Sequence, residues 1–117
     1  MPNISSRLNG TKIYIIMDKF NSSTIDFGKI EVPENLAKTR VRVMDIREPF
    51  ADIIYQRGTG IACRALALKI YNSEGATEYN EKEVELIAGL SQYLLAPAVM
   101  DGVKDAIEKG ILYDRTK

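Results

Sequence analysis

The sequence predicts a single α+β domain, in which an antiparallel sheet of three to five strands packs against two or three helices and the C-terminal half is mainly helical. Three observations carry this expectation. Residues 11–17, 27–32 and 39–46 are β-branched or alternating runs, joined by connections too short for helical crossovers. From Pro49 onward helix formers dominate, and a complete helix-start signal stands at Asn80. The 117 residues are 45% hydrophobic and 27% charged, without repeat or low-complexity tract, which suits one globular domain spanning 1–117.

Residues 1–10 are expected to form a flexible N-terminus; MPNISSRLNG has no apolar run behind its arginine, so no secretory signal is expected. Thr11–Met17, TKIYIIM, follows Asn9-Gly10 and reads as a central strand because it is apolar on both faces. Phe27–Val32 is a second strand, ended by Pro33. Residues 33–38, PENLAK, are short enough for a turn or one helical turn. Thr39–Ile46 alternates as an amphipathic strand, with Val41 and Val43 on one face and Arg40 and Arg42 on the other. The three runs together make an antiparallel meander.

Pro49 suits the first position of a helix over 49–57, although Ile53-Ile54 leaves a fourth strand open. Gly58-Thr59-Gly60 interrupts any regular element. Residues 61–71 fit helix through Ala62, Leu66 and Ile70, and buried strand through a poor separation of polar from apolar positions. NSEGATEY, 72–79, reads as a loop. Asn80 with Glu83 forms a capping box, and Val84, Ile87, Leu90 and Leu94 make the core stripe of the helix that follows. Pro97 is expected to bend or restart the helix, and Lys109-Gly110 to stop it, leaving Ile111–Tyr113 as an edge strand or interface arm.

The chain has no histidine and one cysteine, Cys63. Histidine-based relays, Cys/His zinc sites, multi-cysteine iron–sulfur centres and intrachain disulfides are therefore excluded. No metal, no cofactor and no enzymatic activity are expected. Asp45, Glu48 and Asp52 flank Pro49 and read as solvated or salt-bridged groups, and the six tyrosines as core or interface residues.

Charge is balanced over the whole chain, sixteen basic against sixteen acidic, yet residues 39–72 carry a net +3 and residues 73–117 a net −4. Arg40, Arg42, Arg47, Arg57 and Arg64, five of the seven arginines, lie in the basic stretch. Guanidinium forks suit phosphate and carboxylate. The candidate ligand site is accordingly Arg57, Gly58, Thr59, Gly60 and Arg64, a glycine loop opening a helix between two arginines, with Arg40 and Arg42 as a second basic element.

Leu86, Leu90, Tyr93 and Leu94 lie on a helix apolar on several sides, which calls for cover from a second copy. The expectation is a cytoplasmic, non-enzymatic homo-oligomer, a dimer first, that captures an anionic metabolite or nucleotide. A structural or inhibitory adaptor acting through a protein–protein interface is the alternative, and a weak nucleic-acid binder the second one. Neutral net charge disfavours nucleic acid, and the longest apolar window, residues 86–100, is too short to span a membrane.

Overall fold

The computed structural model describes the backbone of residues 21–115 and the side chains of residues 21–111. The expected N-terminal tail and the strand over 11–17 lie outside the described residues. Eight elements follow one another: β1 (Ser23–Ile25), β2 (Ile30–Pro33), β3 (Val41–Met44), α1 (Arg47–Arg57), α2 (Gly60–Tyr71), β4 (Thr77–Tyr79), α3 (Glu81–Leu94) and α4 (Pro97–Arg115). The class is α+β with a helical C-terminal half, but in place of one sheet of three to five strands there are two antiparallel pairs, β1 with β4 and β2 with β3.

Phe27 sits at the centre. It lies in the turn between β1 and β2, which is closed by a hydrogen bond from the Lys29 amide to the Asp26 carbonyl (3.0 Å) and one from the Gly28 amide to Asp26 Oδ1 (2.9 Å). Its ring is wholly buried and meets Phe50 of α1 (centroids 5.6 Å apart) and Tyr79 of β4 (5.5 Å, edge to face). Ile25, Ile30, Ile54, Leu66, Ile70, Val84, Ile87 and Val103 complete the core around these rings.

The β2–β3 hairpin is where the sequence places it, with Val41 and Val43 on one face and Arg42 on the other, but Val41, Arg42 and Val43 are all exposed. The register pairs Glu31 with Val43 and Val32 with Arg42. Directly paired residues share a face, so half-buried Met44 and exposed Arg42 lie on the side of the buried Ile30 and Val32, while Val41 and Val43 lie on the side of Glu31, in solvent. Val43 is 60% exposed. The stronger burial of β2 sets the register, and β3, at the edge, follows. The 33–38 connection is a turn with Lys38 in the left-handed region (φ 58°), held by Asn35 bonding both the amide and the hydroxyl of Thr39.

Residues 49–57 and 61–71 are both helical, closing the strand alternatives. Pro49 is the third residue of α1, not the first, and still within the turn that tolerates it. β4 falls inside the segment expected to be a loop: Thr77–Tyr79 pairs with Ser23–Ile25, opposite a polar stretch that also gave no strand signal. α3 begins at the expected capping box, with the Glu83 amide donating to Asn80 Oδ1 (2.9 Å) and the Asn80 amide to Glu83 Oε1 (2.8 Å). Pro97 separates α3 from α4 as expected. Gly110 does not stop the helix; α4 runs on to Arg115, so Ile111–Tyr113 are helical and form neither strand nor arm.

The reason lies in what Gly110 touches. A Cβ there would collide with Ser23 Oγ and with the backbone of Thr24, and one at Gly102 would lie 2.7 Å from the Glu31 carbonyl oxygen. Two glycines eight residues apart thus let one face of α4 lie flush on β1 and β2 at once, and the Ser23 hydroxyl donates to the Ile107 carbonyl (2.8 Å) across the contact. No helix among the described residues is long and apolar enough to cross a membrane.

Gly110→Val should destabilise the fold by about 1–3 kcal/mol or more, the cost of overpacking, although the helix itself would favour the change. Urea unfolding of the variant checks this; an unchanged midpoint would mean α4 does not seat on β1.

Candidate functional site

The corner between α1 and α2 is built by its glycines. Gly58 caps α1, its amide donating to the Ile54 carbonyl (2.7 Å), and a Cβ there would lie 2.7 Å from that oxygen and 2.9 Å from Cys63 Cβ. Gly60 has φ 87° and open space around it. Thr59 is the N-cap of α2, with no capping bond from its side chain. The first glycine is required by helix–helix packing and the second by backbone conformation.

Arg57 and Arg64 flank this corner, both exposed, and neither takes part in an ion pair among the described residues. Arg40 and Arg42 lie apart from them on the hairpin, where the Arg40 carbonyl accepts from the Glu34 amide (2.9 Å). Arg47, the fifth arginine of the basic stretch, has a structural post. Its guanidinium binds both oxygens of Asp45 (3.0 and 2.7 Å) and the Ser73 carbonyl (3.0 Å), tying the start of α1 to the end of α2. The side-chain hydrogen bond from Arg47 holds the Asp45 carboxyl at about 2.

Beside Arg64 the two helices leave a shallow depression of about 260 Å³, bordered also by Asp52 and Tyr55 of α1 and Leu68 and Tyr71 of α2. It does not reach Gly58, Thr59 or Gly60. Tyr55, Leu68 and Tyr71 are at least half exposed, and Ile61, at the start of α2, is 86% exposed. Ile61, Arg64, Leu68 and Tyr71 follow one another at spacings of three, four and three, which places them along one side of the helix. The buried set, Cys63, Leu66, Ala67 and Ile70, occupies another. α2 therefore carries two apolar stripes, one in the core and one in solvent.

The expected interface on α3 is mostly occupied by the fold. Leu86, Leu90 and Leu94 are half-buried and pack on the core, while Tyr93 stands out at 83% exposure. Elsewhere, a cleft of about 510 Å³ lies over α4 between Lys29, Glu31, Asp26, Asp105 and Lys109. Lys109 bridges Glu31 and Asp105, each at 3.0 Å, so the cleft carries more carboxylate than free cation and does not suit an anion. No group of three or more cysteine, aspartate or glutamate residues among those described could hold a metal ion. Cys63 is a buried free thiol.

A polar cluster joins α2, β4 and α3. Lys69 Nζ binds Glu83 Oε1 (2.9 Å), the same oxygen that closes the capping box, and sits 4.7 Å from the centre of the Tyr79 ring. The Tyr79 hydroxyl is buried without a hydrogen-bond partner among the described residues. Burial pushes this phenol up to about 12; the adjacent Ser73 hydroxyl, which donates to the Ile70 carbonyl (2.7 Å), offsets only part of the rise. Comparisons with known protein families, curated proteins and solved structures find no match to this chain.

Because the Tyr79 proton is held more tightly in the folded state, its contribution is complete below the unfolded phenol value of about 10 and is lost as pH rises from there toward 12. Tyr79→Phe should therefore match or exceed the wild type in urea at pH 7, since the deleted hydroxyl has no partner. It should also lose less stability between pH 10 and 12. A loss of more than about 1 kcal/mol at pH 7 would reveal a bonded hydroxyl.

Proposed function

We propose that this chain is a non-enzymatic protein-binding module, an adaptor in the structural or inhibitory sense, working through the α1–α2 face. The solvent-facing stripe Ile61–Arg64–Leu68–Tyr71, joined by Tyr55, carries the reading. Tyrosine and arginine are the residues most enriched at interface hot spots, where a rigid amphipathic ring and a planar cation supply contact at low entropic cost. Contiguous exposed apolar side chains on a small domain mark interaction surfaces. A cytoplasmic setting goes with this reading, as Cys63 is a buried free thiol.

A photoreactive phenylalanine derivative placed at Tyr71 in cells, with the same group at Glu85 on α3 as control, tests it. The expected result is a discrete protein adduct from position 71 and none from 85. Absence of any protein adduct at 71 would end this account.

One observation favours a second reading, capture of an anionic metabolite or nucleotide at the corner: Arg57 and Arg64, on either side of Thr59, take part in no ion pair among the described residues. There, Arg57→Ala should weaken binding about tenfold, one charge-assisted hydrogen bond being worth about 1.5–3 kcal/mol. Calorimetry with a nucleotide panel measures this, and the interaction reading predicts no heat of binding for wild type or variant.

A further inference from the structure

We infer that the partner seated on the α1–α2 face is a second copy of this chain, in a twofold pair where Asp52 of each copy meets Arg64 of the other. This rests on the reading that the face binds protein, and it names the occupant. The face offers one acid and one base from different helices, Asp52 on α1 and Arg64 on α2, bordering the same depression. Both are exposed, and neither is in an ion pair among the described residues. Arg40, Arg42 and Arg57 are likewise outside the ion pairs among the described residues, but of the arginines Arg64 is the one that borders this depression.

A twofold interface joins a patch to itself, so residue i meets j and j meets i. A patch of one sign would repel its own copy; a patch holding one unpaired acid and one unpaired base is complementary to itself. An axis through the depression lays α1 of each copy on α2 of the other and forms the Asp52–Arg64 contact twice. A strongly acidic or strongly basic partner would leave one of the two charges facing its like, which disfavours such partners. The depression, about 260 Å³ and open, falls below the range of about 300–1,000 Å³ usual for small-molecule sites and suits an inserted side chain. Tyr55, Leu68 and Tyr71 surround the charges with apolar area that excludes water once covered, and there a close charge pair counts for more than at a rim.

Charge reversal tests the pairing. Asp52→Arg and Arg64→Asp are made singly in the full chain and studied by sedimentation velocity over a wide concentration range. Circular dichroism serves as a check on folding, which substitutions at exposed positions should leave intact. Wild type should dimerise. Each variant should weaken dimerisation about tenfold or more, because both contacts become like-charge. An equimolar mixture of the two variants should recover a heterodimer, since opposite charges then face each other at both contacts. Leu68→Asp should also dissociate the dimer, with no mixture restoring it.

The inference is overturned by a wild type monomeric throughout, by single variants that dimerise normally, or by a mixture that stays monomeric. A monomeric wild type that still gives a discrete adduct from position 71 would refute the second copy as occupant and leave the protein-binding reading standing; no adduct at all would remove both.

Discussion

The burial of Phe27 holds this fold together. Its ring is placed by a turn, not by a strand, and from there it reaches α1 through Phe50 and β4 through Tyr79, while its carbonyl accepts the Ile46 amide at the threshold of α1 (2.9 Å). A fully buried phenylalanine contributes about 1.5–3 kcal/mol by transfer alone. The geometric consequence is larger than that figure, because neither two-stranded pair is stable by itself. With strands of three or four residues, the ladders supply too little, and the ring joins them to the helices that complete their faces.

The second constraint is the glycine face of α4. A helix with side chains at positions 102 and 110 would stand off β1 and β2 by the thickness of those side chains, and the strand edges would be open to one another or to solvent. By lying directly on both strands α4 packs the two separate pairs, β1–β4 and β2–β3, into one body. It also explains why glycine at 110 continues the helix. Its cost of about 1 kcal/mol relative to alanine is set against a contact that no larger residue permits.

How much was legible in the sequence depends on whether a signal was local. The Asn80–Glu83 box, the break at Pro97 and the strand pair around residues 33–38 could all be read, since each rests on neighbours in the chain. β1 and β4 could not, because Ser23–Ile25 and Thr77–Tyr79 are strands through mutual pairing across more than fifty residues, with no alternation of their own. The burial of β3 was not legible for a related reason: the alternation of Val41 and Val43 with Arg40 and Arg42 fixes that two faces exist, and only packing decides whether either is covered; Val41, Arg42 and Val43 are all exposed. Of the candidate site, Arg57, Arg64 and the two glycines were legible as a corner between elements. The depression beside Arg64 was not, since Asp52 and Tyr55 join it only when α1 packs on α2.

The ambiguity of residues 61–71 between helix and strand has a physical origin. A helix with one apolar stripe separates polar from apolar positions cleanly, and a buried strand is apolar throughout. α2 does neither because it has two stripes at different angles, Cys63–Leu66–Ala67–Ile70 toward the core and Ile61–Leu68–Tyr71 toward solvent, with Arg64 inside the second. Folding alone requires only the first. The second leaves apolar area exposed beside the Arg64 guanidinium, which takes part in no ion pair among the described residues, and it is this stripe that supports the proposed interaction face. α3 shows the converse. It looks more apolar in sequence, yet Leu86, Leu90 and Leu94 are taken up by the core, so the total hydrophobicity of a segment does not tell which of its apolar side chains stay exposed.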